Sequence, residues 1–600
     1  MTQPATPQTD GPQSVGPAAG MGALPLNPGF AFRVWAPHAT AVHVTGSFND
    51  WSEDASPLSP EADGYWYGEY PGAAVGDEYR FIIDGPAGRL WRVDPYAVAV
   101  TNSIGNGILT DLGAAPDDGF QTPAWSDMVI YEMHLGTFHA PEGDGNFITA
   151  AQRLQHLADL GVNVVQIMPA AEFAGDTSWG YNPAHIFAVE SAYGGPDGLR
   201  HFVAEAHKAG IAVILDVVYN HFGPSDLDLW QFDGWSENGK GGIYFYNDWR
   251  SATPWGDTRP DYGRDAVRQF IRDNALFWLR TYGLDGLRFD MTLYVRNASG
   301  NEGDPGHELP DGWSLMQWVN RDIAADFPGK ITIAEDLRLL GAMTAPVEDG
   351  GAGFGAQWDA GFVHPVRAVL TEAEDSARSL PELIAAVTGG GADPFQRVIY
   401  TESHDEVANG KARIPHEIGG DRQDHWHAQK RSTLGAAMVL TSAGIPMLFQ
   451  GQEFLQGDWF DDTVPLDWAR SDSFRGIVRL YRDLIALRRN RDGHSAGLSG
   501  RQTEVLLADD ERKLLVVRRF HDDGDPGVIV ALNLRTEAAH DIDIPLPHAG
   551  AWRLALNTDW AGYSADFDDF HSADLHVEDG APPQGRFAIG PYSALVFVAD

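Results

Sequence analysis

Between residues 25 and 112, short stretches of alternating apolar and polar residues (30–35, 41–45, 65–70 and 79–84) are separated by turn signals. That rhythm predicts a small β-sandwich. From about residue 125 to 488 the pattern changes to short apolar runs at 128–134, 162–168, 211–218, 286–289, 331–334, 398–401 and 446–449, most of them followed by helical periodicity. With a weaker eighth run at 356–358, they predict a central (β/α)8 TIM barrel. The third run leads into a stretch from about 222 to 263 rich in Gly, Asp, Trp and Tyr. This is too long for a plain connection and of the kind that carries function. After Gly500 the alternating runs return, predicting a C-terminal all-β domain. The expected division is a disordered leader over 1–24, an N-terminal β-sandwich over 25–112, the barrel over 113–495 and a C-terminal β-sandwich domain over 496–600. No repeat of 20 to 50 residues is visible, which excludes solenoids and propellers.

Composition narrows the function classes. The 600 residues include 43% hydrophobic and 11% aromatic side chains, enough to bury large cores, and no apolar run reaches membrane-spanning length. Eighty-four acidic against 42 basic side chains give a formal charge of −42, which makes nucleic acid and membrane partners poor expectations. The absence of cysteine excludes thiolate metal sites, disulfides and cysteine nucleophiles. The first 21 residues carry neither a basic start nor an apolar core of a signal peptide, so a cytoplasmic location is expected.

The candidate chemistry lies at the strand ends, where a barrel of this kind gathers its site. The third run ends in Asp216-Val217-Val218-Tyr219-Asn220-His221, the fourth in Arg288-Phe289-Asp290, the fifth in Glu335-Asp336 and the seventh in Glu402-Ser403-His404-Asp405. Any one of these residues alone reads most simply as a helix cap or a satisfied loop group. Independent caps, however, have no reason to recur as Arg-x-Asp, Glu and His-Asp on successive strands. Six aromatics crowd the third loop (Trp230, Trp235, Tyr244, Tyr246, Trp249 and Trp255), most of them expected to form that loop's own small core, while Trp459 and Trp468 are expected to flank the pocket after the eighth strand. In the N-terminal sandwich, Phe48 and Trp51 sit on one turn, where they either cap the core or stack on a sugar ring.

These four segments in this order, with Trp179-Gly180-Tyr181 after the second strand, resemble the conserved regions of the α-amylase superfamily of retaining α-glucan enzymes, and the flanking β domains are similar to those of its branching and trehalose-forming members. The resemblance covers roughly residues 25 to 600. It implies Asp290 as nucleophile, Glu335 as general acid/base and Asp405 as the third carboxylate, with Tyr181, Asp216, His221, Arg288 and His404 binding the sugar. Such chemistry needs one ionised and one protonated carboxyl group about 5 to 5.5 Å apart. Arg288, two residues before Asp290, is expected to favour the charged nucleophile, and the surroundings of Glu335 to raise its pKa. Asn220 matches a calcium ligand of some superfamily members, but no acidic partner set follows it, so neither a metal nor a cofactor is expected. The resemblance further implies an α-1,4-glucan or maltooligosaccharide substrate and a monomer or small homo-oligomer. The expected activity is glucan branching, with maltooligosyltrehalose trehalohydrolase or another α-glucan hydrolase as the alternative. A catalytically silent glucan-binding scaffold is the alternative from outside enzymology.

Overall fold

The structure, a computed structural model, describes residues 20–599 apart from 116, 142, 390–392, 548 and 578–582. Eight parallel strands close into a barrel: β1 (Ile130–Met133), β2 (Val164–Ile167), β3 (Ala212–Val217), β4 (Gly286–Phe289), β5 (Ile331–Ala334), β6 (Ala356–Trp358), β7 (Arg397–Ile399) and β8 (Ile445–Phe449). β8 pairs back onto β1 through Met447 and Ile130. The weak eighth run is thus the sixth strand, only three residues long.

Every strand residue of β1 to β8 is buried, because helices cover the outer surface and side chains fill the inside. One apolar cluster draws residues from seven of the strands: Ile130, Val164, Ala212, Ile214, Ile331, Ile333, Ala356, Trp358, Val398, Ile445 and Met447. Side chains alternate between the two faces of a strand. Two positions further along, the same inner face therefore carries Glu132, Gln166, Asp216 and Glu335, and Arg288 joins it two positions past Gly286. The apolar lower layers and the polar top layer are consecutive steps of one alternation.

The N-terminal domain packs strands Gly22–Pro25, Phe30–Trp35, Tyr65–Tyr70 and Ser59–Pro60 against a second sheet of Ala41–Gly46, Glu78–Gly85, Gly88–Arg92 and Gly107–Ile108. Gly22 to Pro25 pair with Phe30 to Arg33. The expected leader over 1–24 is therefore corrected at its end, since its last residues belong to the sandwich edge; residues 1–19 lie outside the described residues. The C-terminal domain is a six-stranded antiparallel sheet faced by the pair Ala539–Pro545 and Gln584–Ile589. It is fixed to the barrel by a buried ion pair between Lys430, on helix Trp426–Thr441, and Asp559. Among the described residues no helix is long and apolar enough to cross a membrane.

Candidate functional site

Arg288 is the centre of the polar top layer and is fully buried. Its Nη1 lies 2.6 Å from Asp216 Oδ2 and 3.0 Å from Asp290 Oδ1, and its Nη2 lies 2.7 Å from Glu335 Oε2. The parallel register explains the meeting: Asp216 stands opposite Arg288, and Phe289 opposite Ala334, so Asp290 and Glu335 follow side by side on adjacent strands. One guanidinium thus faces three carboxylates from three strands, a task for which its planar fork of donors is suited.

The turn after Asp290 holds the pair together. Met291 adopts a left-handed backbone (φ 36°) that side chains rarely take. Its N–H donates to Glu335 Oε2 at 3.0 Å, while Thr292 donates from both its N–H and its Oγ1 to the Glu335 carbonyl. Local strain of this kind persists where surrounding contacts over-determine it. Asn220 Nδ2 donates to both the backbone oxygen (2.9 Å) and Oδ2 (2.7 Å) of Asp290, and its Oδ1 contacts His221 Nδ1 at 2.6 Å. The residue that matches a calcium ligand elsewhere is thus committed to orienting a carboxylate and an imidazole. No group of three or more metal-ligating side chains occurs among the described residues.

The expected balance of charge is partly corrected. Burial raises Asp290 to about 6 even though Arg288 pulls the other way, so burial outweighs the cation that was expected to dominate. Glu335 rises further, to about 8, through burial and through repulsion from Asp290 and Asp405, against the opposing pull of Arg288. Asp216 also rises to about 6 through burial. Three buried carboxylates share one cation, and the cation cannot neutralise them all.

The imidazoles differ in state. Burial works against charge on His404, but the carboxylates of Asp405 and Glu132 outweigh it and raise His404 to about 9. Its Nδ1 lies 2.7 Å from Glu132 Oε1, and its Nε2 is 3.5 Å from the half-exposed Asp405. His221 is lowered to about 4 by burial and stays neutral. Tyr181 donates from its hydroxyl to Asp216 at 2.7 Å and stacks on His404 with ring centres 4.9 Å apart. Its place depends on Gly180, at φ +93°, where a Cβ would lie 2.1 Å from the Pro169 carbonyl oxygen.

All eight candidate residues singled out in the barrel therefore meet in one mouth, Asp216 mainly as the buried partner of Arg288 and Tyr181. Asp336 stands outside the group and pairs with Arg296. Tyr244 and Tyr246 are buried in the third loop's own core, whereas Trp249 and Trp255 are 56% and 39% exposed. Trp255 stacks on His221 at 4.7 Å and meets Tyr294 edge-on. Buried Arg259 fastens this loop to the one after β4 by donating to the carbonyls of Arg250, Ala252, Tyr294 and Ala298. Trp459 is 60% exposed. Trp468 does not flank the pocket: it donates to the Phe138 carbonyl and packs against Phe138, Phe454 and Arg153 on the outer side of the barrel. In the N-terminal domain, Phe48 stacks on Phe32 as a cap of the core, and Trp51, also in a left-handed conformation, stacks on Trp91. Glu132 is a site residue that the strand-end pattern does not single out. Its only signal is an acid inside the apolar run Ile130-Tyr131-Glu132-Met133.

Known proteins agree with this architecture. Residues 20–97 match Carbohydrate-binding module 48 (Isoamylase N-terminal domain), residues 137–234 the Alpha amylase, catalytic domain, and residues 506–600 the Alpha amylase, C-terminal all-beta domain. The 1,4-alpha-glucan branching enzyme GlgB of Nitratidesulfovibrio vulgaris (strain DP4) is 32% identical over 573 residues, covering 89% of this chain and 87% of that one. The chain belongs to the GlgB branching-enzyme family. A second GlgB, from Kitasatospora aureofaciens, is 33% identical over 597 residues, covering 93% of this chain and 75% of its own. The family fold extends to solved structures of lower identity. Pullulanase type I from Bacillus subtilis str. 168, complexed with maltose, superposes with a TM-score of 0.76 at 22% identity, over 97% of this chain and 86% of that one. As a GlgB-family chain, the protein is an enzyme of the α-amylase superfamily whose barrel lies between a carbohydrate-binding-module domain and an all-β domain.

Proposed function

We propose that this chain is a 1,4-α-glucan branching enzyme that works by retention through a covalent glycosyl intermediate on Asp290. Branching is carried by the GlgB relatives, and the retaining mechanism by the pair Asp290 and Glu335, side by side on adjacent strands, bridged by Arg288 and raised to about 6 and about 8. Strands about 4.8 Å apart bring successive strand-end carboxyl groups into the range of a retaining pair. At neutral pH the lower pKa leaves Asp290 ionised as nucleophile, and the higher leaves Glu335 protonated as acid.

In the first step an Asp290 oxygen bonds to the anomeric carbon while that carbon's bond to the 4-oxygen of the departing chain breaks, and Glu335 gives its proton to that oxygen. In the second step Glu335 takes the proton of an acceptor 6-hydroxyl. The new oxygen–carbon bond forms as the bond to Asp290 breaks, leaving an α-1,6 branch. In this reading His404, positively charged through Asp405 and Glu132, and neutral His221 hold sugar hydroxyls. Tyr181 offers its ring to the same sugar, and Asp405, the most exposed of the carboxylates, completes the set. The substrate is an α-1,4-glucan or maltooligosaccharide met in the cytoplasm, and no metal or cofactor enters either step.

Water as acceptor is the second reading, favoured by Val218 to Pro224 and by Glu335-Asp336-Leu337-Arg338, which resemble the corresponding segments of trehalohydrolases. Proton NMR of the protein incubated with amylose, and in parallel with maltooligosyltrehalose, separates the two. Branching gives new α-1,6 anomeric signal without a matching rise in reducing ends. Free trehalose from the second substrate, with amylose gaining no branches, would make water the acceptor.

A further inference from the structure

Away from the carboxylate site, a cleft of about 820 Å³ opens along the seam between the last barrel helix, Arg475–Arg488, and residues 561–566 of the C-terminal domain, with Trp560 next in the chain just outside the lining. It has the volume of a small-molecule site and shares no lining residue with the mouth of the barrel. Gly476 allows the seam to be this close: a Cβ there would lie 2.1 Å from the Tyr563 carbonyl oxygen. Tyr563 in turn donates from its hydroxyl to Asp483, one turn beyond Arg479 on the same helix, so both walls are fixed.

The lining chemistry runs against the rest of the molecule. In a chain of formal charge −42, Arg475, Arg479 and Arg482 all line this cleft, spaced four and three apart so that they share one helix face. Arg479 donates to the Gly562 carbonyl, and its guanidinium lies 4.7 Å from the ring centre of Trp560, which is 45% exposed. Arg475 and Arg482 are exposed, and among the described residues neither has a carboxylate within ion-pair distance. Of the two acids in the lining, Asp566 accepts from Gln429 at 2.8 Å, and Asp472 is exposed at the rim. Three guanidinium groups against two carboxylates give the lining itself a formal charge of +1, and the forked donors of arginine match the oxygens of a phosphate group.

We propose that this seam is a binding site for a phosphate monoester carried on a sugar, with Arg475 and Arg482 holding the phosphate and Trp560, backed by Arg479, meeting the sugar ring. The recognition is of the phosphate. A free sugar phosphate and a phosphorylated glucosyl unit within a glucan chain present the same group, and both are accommodated by a cleft that opens to solvent.

Calorimetric titration of the full chain at low ionic strength tests this with four probes: glucose 6-phosphate, inorganic phosphate, glucose, and a glucan phosphorylated on its glucosyl 6-hydroxyls. Glucose 6-phosphate is expected to bind saturably and at least tenfold more tightly than glucose, with affinity falling as salt is added. The double variant Arg475→Ala/Arg482→Ala should lose at least tenfold of that affinity while keeping amylose turnover and the unfolding midpoint of the parent. If inorganic phosphate binds as well as the sugar phosphate and Trp560→Ala changes neither, the sugar contact is wrong. Binding of the phosphorylated glucan but not of glucose 6-phosphate makes the polymer the source; the reverse makes it the free ester. No saturable binding of either ester, or binding that the double variant leaves intact, overturns the proposal.

Discussion

Two buried assemblies that differ in charge balance make an instructive pair. At the barrel mouth, Arg288 faces Asp216, Asp290 and Glu335, all with little or no solvent contact. At the seam with the C-terminal domain, Lys430 faces Asp559 alone, both fully buried, and Asp559 is further satisfied by N–H donors of Asp568 and Phe570. The second assembly is balanced one to one, with a donor on each carboxylate oxygen, and it acts as a brace. The first has too few cations, so burial raises its carboxylates toward neutral pH and makes their protons available for chemistry. Burial is common to both, and stoichiometry sets them apart.

Substitutions can break this contrast. Asp290→Asn keeps the shape of the mouth and removes the proposed nucleophile; glucan turnover should fall by at least about 10⁴-fold with the unfolding midpoint hardly moved. Turnover within tenfold of the parent would remove Asp290 from the first step. Glu335→Gln should cost about 10² to 10⁴-fold, with the smallest loss on donors whose leaving group needs no proton, such as a glucosyl fluoride. Equal losses on both donor types would deny Glu335 its acid role. The brace should respond in the opposite way. Asp559→Asn leaves Lys430 buried without a counter-charge and should cost about 3–5 kcal/mol in chemical denaturation, while turnover per folded molecule stays that of the parent.

The pH profile sharpens the contrast without any substitution. Turnover should rise through about 6 as Asp290 loses its proton and fall through about 8 as Glu335 loses its own, giving a bell centred near neutrality. In Glu335→Gln the upper limb should disappear from whatever activity remains; a limb that persists would belong to another group. The smallest effect is expected at Glu132→Gln, which removes one of the two carboxylates holding a proton on His404. His404 should then titrate at lower pH, read directly by NMR of its ring protons, and the substrate KM should rise more than kcat falls.

Much of this architecture is legible in the amino-acid sequence. Short apolar runs bounded by turns define the strands, because a strand buried on both faces must be apolar along its length, and the polar residues at their ends stand out against that background. Asp290, Glu335 and Asp405 are visible for this reason. Glu132 is not, since an acid in mid-strand shows its purpose only once the barrel closes and His404, 272 positions away, arrives beside it. The Lys430 to Asp559 brace is hidden in the same way: its partners are 129 residues apart, and local periodicity holds no record of such pairing. The pKa of Asp290 escapes the sequence for a different reason. Spacing along the strand puts Arg288 beside it but cannot weigh that cation against complete burial and two further carboxylates. The third loop's aromatics divide between core and surface, and the Arg259 clamp that holds the loop to its neighbour is a residue with no local signature.

The most direct test of the account is to trap the intermediate. Glu335→Gln incubated with an α-glucosyl fluoride, which does not require protonation to leave, should accumulate a covalent glucosyl adduct, seen as an added hexosyl mass on the intact protein. After digestion the adduct should lie on the peptide carrying Asp290. An adduct on that residue is the result the charge-deficient site predicts. An adduct on another carboxylate, or consumption of the fluoride with inversion and no adduct at any time point, would contradict it.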